Sequence, residues 1–223
     1  MSRFDLVILD YDGVIADSEL LSSQAMAEVL TGIGLPTTLD EALVLYMGRR
    51  WLDCRPEIEA RLGRSCPETT LGDWTRLCHD RAATALQPVE GAAAFMADLD
   101  KPRCIASSSP PDWITLGLAT MGVPLEQAGP IYSGAVHVTR GKPHPDLFLH
   151  AASEMGFAPD RTLVIEDSVP GVQAGVAAGM TVVGLLAGGH IRDGHGEQLA
   201  EAGAHVVLQD YEAVRLYMDG SVR

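Results

Sequence analysis

The sequence lacks the features of several large protein classes. Acidic residues outnumber basic ones, 30 to 16, and no basic stripe is present, so we expect neither nucleic acid nor an anionic membrane as a partner. No hydrophobic run approaches the length of a membrane span, and Asp5, Asp10 and Asp12 interrupt the N-terminal run that a secretory signal would need. The four cysteines form no C-x-x-C pair, which argues against a zinc site.

A chain of this size does not need disulfides for stability, so we expect reduced cysteines and a cytoplasmic protein. Hydrophobic residues make up 47% of its 223 residues, which is enough for a substantial core. The length suits one α/β domain with an insert, and we expect the protein to be a monomer.

The order of predicted strands and helices indicates an α/β domain that is interrupted after its first strand. Residues 6–9 form a predicted buried strand, residues 17–86 show helical patterns and no strand, and helices and strands alternate from Pro88 onward. This alternation predicts a Rossmann-like parallel sheet with helices on both faces. We therefore expect a core domain of residues 1–16 and 87–223, with residues 17–86 as an inserted all-helical domain.

Polar side chains follow four of the predicted strands. They are Asp10 and Asp12 after the first strand, Ser107 and Ser108 after the second, Lys142 beyond the third, and Glu166 and Asp167 after the fourth. Because ligands bind at the carboxyl edge of open α/β sheets, we expect these side chains to converge there. Two acids at one strand end are costly to bring together unless a cation neutralises them. The pattern therefore predicts a Mg²⁺ site.

These residue types suit the hydrolysis of phosphate monoesters. Asp10 can attack phosphorus to form an aspartyl-phosphate, while Asp12 protonates the leaving oxygen and later takes a proton from water. Mg²⁺ and Lys142 would supply the positive charge that lets a carboxylate approach an anionic ester. The predicted Mg²⁺ ligands are Asp10, the main-chain carbonyl of Asp12, and Asp167. Ser107 and Ser108 suit the phosphate oxygens.

Four stretches of the chain resemble the motifs of the haloacid dehalogenase superfamily. They are DYDGVIADS, IASSS, GKPHPDLF and VIEDSVPGVQAGVAAGM, and the resemblance covers the whole chain. It implies a Rossmann-like core with a mobile helical cap, which corresponds to residues 17–86. It also implies roles for individual residues: Asp10 as nucleophile, Asp12 as acid and base, Ser107 and Lys142 as phosphate-binding residues, Asp167 as a metal ligand, and Glu166 as an assisting acid, directly or through water.

Within this superfamily the chain resembles bacterial sugar-phosphate phosphatases of the phosphogluconate type. Dehalogenases of the superfamily lack the second Asp of the first motif, so Asp12 argues against that activity. The sugar phosphomutases place a His where this chain has Ser22, which favours hydrolysis and leaves a β-phosphoglucomutase-like enzyme as the alternative. A receiver-type signalling module also uses Asp, Mg²⁺ and Lys on a parallel sheet, but it is shorter and has no helical insert.

Several residues of the helical segment carry weaker signals. Arg49 and Arg50 either face solvent or contact the polar tail of the substrate. Trp74 is expected to be a packing residue, and so is Trp113 outside the segment. Pro56 is expected near a helix start, where a missing N–H costs little.

Four residues outside the helical segment carry similarly weak signals. His190 and His195 lie in a predicted glycine-rich loop, and we expect both to be structural or surface residues. Ser108 and Ser109 have a helix-capping role at Pro110 as their alternative, so that Ser107 is the stronger candidate for phosphate binding.

Overall fold

The computed structural model describes residues 3–221, which contain a six-stranded parallel sheet. Its strands are β1 (Leu6–Leu9), β2 (Arg103–Ser107), β3 (Ile131–Ser133), β4 (Thr162–Glu166), β5 (Thr181–Leu185) and β6 (Val206–Leu208). Their order across the sheet is β3-β2-β1-β4-β5-β6, and neighbouring strands pair in parallel. All of β1 is buried, as its continuous apolar run requires. The predicted Rossmann-like α/β fold is confirmed.

Helices surround the sheet and also precede its second strand. They are α1 (Glu19–Gly32), α2 (Leu39–Tyr46), α3 (Trp51–Leu62), α4 (Thr70–Ala85), α5 (Ala92–Asp98), α6 (Pro111–Thr120), α7 (Leu125–Ala128), α8 (Asp146–Met155), α9 (Val169–Ala177), α10 (His195–Glu201) and α11 (Tyr211–Met218). The longest is α4, with 16 residues. No helix within residues 3–221 combines the length and apolarity that crossing a bilayer demands.

Alternate side chains of β1 enter two separate apolar clusters, one on each face of the sheet. Val7 and Leu9 belong to a cluster with residues of α5, α6 and α11, whereas Leu6 and Ile8 pack with residues of α8, α9 and α10. Since adjacent residues of a strand point to opposite faces, one apolar run supplies both clusters. With both faces covered, the strand ends are where polar side chains can meet a ligand.

Residues 17–86 leave the sheet region and return to it at neighbouring points. The main-chain N–H of Asp17 donates to the carbonyl of Gln87, and Ala16 forms an isolated antiparallel bridge with Pro88. Between these points lie helices α1 to α4, which have an apolar cluster of their own that includes Leu30 and Ile58. Trp74 is partly buried against both this cluster and a cluster of the sheet.

Two local features differ from the sequence-based expectations. Helix α3 begins at Trp51, so Pro56 lies inside it and not near its start. The main-chain carbonyl of Arg50 accepts hydrogen bonds from Asp53 and Cys54, which starts the helix one turn before the proline. His195 is the first residue of α10 and not part of a loop, because this short helix contains too few apolar residues to show a helical period.

Candidate active site

The predicted catalytic residues come from the adjacent strands β2, β1 and β4 and from one loop. Asp10 follows β1, Ser107 ends β2, and Glu166 and Asp167 stand at the end of β4. Lys142 reaches the same place from the connection between β3 and α8. The register pairs Leu9 of β1 with residues of β2 and β4, so the three strand ends lie side by side. The expected convergence at the carboxyl edge is therefore present in the structure.

Lys142 is the centre of a buried cluster of charges. Its Nζ lies 3.0 Å from Oδ1 of Asp10 and 2.5 Å from Oε1 of Glu166, and none of its side chain is exposed. Asp10 is 3% exposed and Glu166 is fully buried. A lysine in such a place would be costly without partners, and these two carboxylates supply them.

The carboxylate of Glu166 binds Lys142 through one oxygen and accepts hydrogen bonds from neighbouring residues through the other. Its Oε2 accepts hydrogen bonds from the main-chain N–H groups of Asp167 and Ser168, each at 3.0 Å, and from Oγ of Ser168 at 2.9 Å. Its Oε1 accepts from Lys142. With this many donors the carboxylate has a defined orientation, so Glu166 can position the ammonium group beside Asp10.

Asp167 gives the strongest indication of a cation-binding site. Both carboxylate oxygens are buried without a hydrogen-bond partner among the described residues, although Nε2 of His190 lies 3.0 Å from Oδ2. Buried carboxylates without partners are unfavourable unless a cation binds them. Oxygen atoms of Asp10, Glu166 and Asp167 lie within 4.8 Å of one another, so this group fits a hard divalent ion.

The acidic groups of this region disfavour one another's charged forms. Burial raises the pKa of Asp10 well above its usual range, Lys142 opposes this, and Glu166 and Asp167 add to it. Burial and the charge of Glu166 likewise raise the pKa of Asp167. Burial tends to lower the pKa of Lys142, but the charges of Asp10 and Glu166 outweigh it and raise the pKa overall. Three carboxyl groups thus face one ammonium group, and a divalent cation would balance the cluster.

Asp12 lies at the mouth of the site and is held by three donors. Oγ of Ser18 donates to Oδ1 at 2.6 Å, Nε1 of Trp113 donates to the same oxygen at 3.0 Å, and Oγ of Ser109 donates to Oδ2 at 2.6 Å. Ser107 is a more distant neighbour, with 3.5 Å between its Oγ and Oδ2. These bonds fix the direction of the carboxylate and leave it beside the cavity that Asp10 also lines.

Ser107 and Ser108 occupy different environments although they are adjacent. Ser107 is buried, and its Oγ accepts a hydrogen bond from the N–H of Ser109 at 3.1 Å. Ser108 donates from its Oγ to the main-chain carbonyl of Gly48 at 2.9 Å, so it links the sheet edge to the helical segment. Both residues line the cavity that contains Asp10.

Arg49 and Arg50 already have partners within the chain. Arg49 donates to the carbonyls of Leu45 and Asp53 and to the carboxylate of Glu57. The guanidinium of Arg50 pairs with both carboxylate oxygens of Asp53, and it donates to three main-chain carbonyls of residues 134–139. Arg49 lines the cavity beside Asp10, with 27% of its side chain exposed, whereas Arg50 is buried. Substrate contact stays a prediction for both residues.

Of two buried residues near the acids, the sequence did not single out Glu19, and it predicted only a structural or surface role for His190. Glu19 lines the cavity together with Asp10 and Asp12. Burial raises the pKa of Glu19 well above its usual range, and the negative charges of Asp12 and Asp167 raise it further. Acidic residues are common in the first turn of a helix because they interact favourably with the helix dipole. The sequence position of Glu19 therefore gives no indication that it belongs to the site. His190 is buried beside Asp167, and burial lowers its pKa.

Gly13 explains how the first motif can approach the fourth. Its φ is +74°, and a Cβ at this position would overlap the carboxylate of Asp167 and the ring of His190. Glycine is therefore required both for the turn after Asp12 and for the close approach of the two strand ends. This requirement is visible in the sequence only as a glycine that follows Asp12 directly.

Comparison with known proteins identifies the family. A family model described as haloacid dehalogenase-like hydrolase matches residues 4–179. Among curated proteins, the 6-phosphogluconate phosphatase of Escherichia coli (strain K12) is 27% identical over 85% of this chain and 86% of its own length. The validoxylamine A 7'-phosphate phosphatase of Streptomyces hygroscopicus subsp. limoneus is 29% identical over 95% of this chain and 96% of its own length.

A solved structure adds a further relative. It is a HAD family hydrolase from Deinococcus radiodurans R1 with bound phosphate and sodium, which is 33% identical, has a TM-score of 0.76, and matches over 99% of this chain and 97% of its own. Because the match covers nearly all of both chains, the similarity includes the helical segment as well as the sheet. The chain thus belongs to the haloacid dehalogenase-like hydrolase family.

Proposed function

We propose that this protein is a Mg²⁺-dependent phosphatase that hydrolyses small phosphorylated metabolites, sugar phosphates in particular, through an aspartyl-phosphate on Asp10. Its class, phosphoric monoester hydrolase, follows from the family and from relatives that are themselves phosphatases. Membership of a hydrolase family also removes the signalling-module alternative. The observation that carries the proposal is the buried cluster in which Asp10 and Asp167 share one edge with Lys142.

The proposed ligands of the metal ion are Asp10, Asp167 and the main-chain carbonyl of Asp12, with Glu166 assisting. When bound, Mg²⁺ would neutralise carboxylate charge and charge on the transferring phosphoryl group. The buried oxygen atoms of Asp167 support this placement, since neither accepts a hydrogen bond from the described residues and a divalent ion would bind them. The four donors to Glu166 favour a role for this residue in orienting Lys142.

The reaction would proceed in two steps at Asp10. A carboxylate oxygen of Asp10 attacks phosphorus, the bond from phosphorus to the ester oxygen breaks, and Asp12 gives that oxygen a proton. Asp12 then takes a proton from water, which attacks the aspartyl-phosphate and releases inorganic phosphate. Lys142 offsets the charge of the incoming phosphoryl group, while Ser107 and Ser108 bind its oxygen atoms.

We further propose that residues 17–86 act as a cap domain that closes over the substrate, and that residues 1–16 and 87–223 form the core domain. The helices of this segment have their own apolar cluster, and the chain enters and leaves the segment at one place. Closure would exclude water during the first step and select the alcohol. We also propose a cytoplasmic monomer, in keeping with four buried, free cysteines.

The decisive experiment measures phosphate release from a panel of phosphorylated metabolites with Mg²⁺ and with EDTA. We expect turnover only with the metal, and a loss of at least about 10³-fold in kcat for Asp10→Asn. Circular dichroism of this variant should match that of the wild type, because Asn fills the same volume. Full activity of Asp10→Asn would refute the nucleophile. Conversion of a hexose 1-phosphate to the 6-phosphate without phosphate release would favour the phosphomutase alternative.

A further inference from the structure

A second cavity opens beside Asp12, between the helical segment and the start of α6. Its volume is about 320 Å³, against about 50 Å³ for the cavity that contains Asp10. Asp12, Ser22, Ser108 and Ser109 line both cavities, so the two spaces adjoin at the proposed acid and base. With the phosphoryl group at Asp10 and the ester oxygen at Asp12, the alcohol part of a phosphate ester would therefore extend into the larger cavity.

The walls of this larger cavity are mainly hydrocarbon and aromatic. The residues concerned are Trp51, Leu52, Leu71, Trp74, Cys78 and Trp113. The ring nitrogens of two of the indoles are already used, since Trp113 donates to Asp12 and Trp74 donates to the main-chain carbonyl of Ser22 at 3.1 Å. These bonds fix both rings, so what they offer to an occupant is apolar ring surface.

Most polar groups in this cavity are already bonded or lie at its rim, and the half-buried ring of His79 stacks on Trp113 with 5.4 Å between the ring centroids. Arg49 and Arg50 line it, but their guanidinium groups are engaged by neighbouring carbonyls and carboxylates. Thr75 and Asp112 are exposed to solvent. A chain of hydroxyl groups placed among the indoles would lose hydrogen bonds to water and gain few in return, which costs binding energy.

Two leucines of the cavity are left uncovered. Leu52 is 66% exposed and Leu71 is 42% exposed, although both are large apolar side chains. Trp51 lines the same cavity, with its ring centroid 6.2 Å from that of Trp74. Exposed apolar side chains that share a concave surface mark a binding site more often than a single exposed leucine does. A ligand with an apolar surface would cover them.

We propose that this cavity binds the alcohol part of the substrate, and that this part is a ring with an apolar face in preference to an open-chain polyol. The inference rests on the proposed function, because it places the ester oxygen at Asp12. A ring can lie flat against an indole, which buries its C–H groups without removing hydroxyl groups from water. The volume accommodates such a ring, and the shared boundary at Asp12 connects it to the phosphoryl group.

The test compares two primary alkyl phosphates of similar intrinsic reactivity, cyclohexylmethyl phosphate and the open-chain glucitol 6-phosphate. We expect wild-type kcat/KM to be at least about tenfold higher for the cyclic ester with Mg²⁺ present. Trp51→Ala should reduce this preference roughly tenfold, mainly through KM for the cyclic ester. Leu71→Ser, at a position exposed enough not to affect folding, should reduce it less.

The matched control is Val44→Ala, which removes an apolar side chain that is 82% exposed on α2, outside the cavity. It should leave the preference unchanged. Equal kcat/KM for the two esters, or a preference that survives both Trp51→Ala and Leu71→Ser, would overturn the inference and leave the proposed function intact. If the wild type released phosphate from neither ester, nor from the metabolite panel, the proposed function and the inference would both fall.

Discussion

The carboxyl edge of the sheet and the helical segment of residues 17–86 contribute to one site by different means. At the sheet edge the functional groups are buried and charged, and the side chains of Lys142 and Glu166 are 0% exposed. The helical segment contributes surface: three lining residues of the larger cavity, Trp51, Leu52 and Leu71, are at least partly exposed. On the proposed function, the sheet edge would carry the chemistry, and the helical segment that packs against it would select the alcohol.

Two of the contacts between these regions lie near the proposed active site. Oγ of Ser108 donates to the carbonyl of Gly48, whose φ is +72° and whose missing Cβ leaves room for Ser168. Arg50 reaches from the start of α3 to the carbonyls of residues 134–139, just before Lys142 in the chain. Each contact ends next to a residue of the proposed active site, so the position of the helical segment and the arrangement of the site are coupled.

The largest effect is expected at the sheet edge, from Lys142→Met. Methionine fills the space but leaves Asp10 and Glu166 without their shared cation, so the free energy of unfolding should fall by about 3–5 kcal/mol without added metal. Phosphatase activity should fall at least about 10³-fold. Urea unfolding and phosphate release measure the two effects.

The control for this prediction is Lys101→Met. Lys101 is partly exposed and lies before β2, away from the acidic cluster, so its removal should change the free energy of unfolding by less than about 0.5 kcal/mol. If both variants lost equally little stability, the charges of the sheet edge would not be coupled as the distances indicate.

Metal binding should depend on pH with a defined sign. The pKa values of Asp10, Glu19 and Asp167 are raised, so the folded metal-free protein holds protons that the unfolded chain has released. Its stability therefore falls as pH rises from the ordinary value of an acid to the raised one. Burial lowers the pKa of His190 and of His195, which gives the opposite slope, but only below about 6.5.

Mg²⁺ must compete with those protons, so the increase in Tm caused by saturating MgCl₂ should be larger near about pH 8 than near about pH 5. Differential scanning fluorimetry measures it. Asp167→Asn should abolish most of the increase, whereas Asp73→Asn, on the surface of α4, should preserve it. An increase in Tm that is the same at both pH values, or that survives in Asp167→Asn, would contradict the proposed metal site.

The sheet edge could be predicted from the sequence because its information is local. An apolar run that ends in Asp10, or in Glu166 and Asp167, shows both the strand and the polar group at its end. Parallel pairing then brings the ends together, and the structure shows this for β1, β2 and β4. Even Lys142, which is far from Asp10 in the chain, follows a strand of the same sheet.

Contacts of the helical segment could not be predicted in this way, because they join residues that no periodic pattern relates. The same holds for Trp113 of α6, outside this segment, which was expected only to pack, yet its Nε1 also donates to Asp12. Arg50 has the sequence context of a surface residue, and its partners lie 84–89 residues further along the chain. Such contacts depend on how the helices sit on the sheet, which helical period and propensity do not determine.

A smaller effect, on stability, is expected from Arg50→Ala. The substitution leaves Asp53 without its partner and removes the donor to three carbonyls of residues 134–139, so we expect a loss of about 2–4 kcal/mol. Arg55→Ala is the matched control on the same helix. It breaks an exposed pair with Glu59 and should cost no more than about 0.5 kcal/mol. Similar losses for both variants would mean that Arg50 does not fasten the segment to the sheet.

The smallest effect tests whether both regions orient Asp12. Oγ of Ser18, just before α1, and Oγ of Ser109, after β2, each donate to its carboxylate at 2.6 Å. Replacing either serine by alanine removes one hydrogen bond worth about 1 kcal/mol, so kcat should fall roughly fivefold while KM stays constant. Thr115→Ala on the exposed side of α6 is the control, since its hydroxyl donates only to the carbonyl of Pro111. A fall in kcat for Ser109→Ala but not for Ser18→Ala would assign the orientation of Asp12 to the sheet side alone, because the two bonds are equal in length.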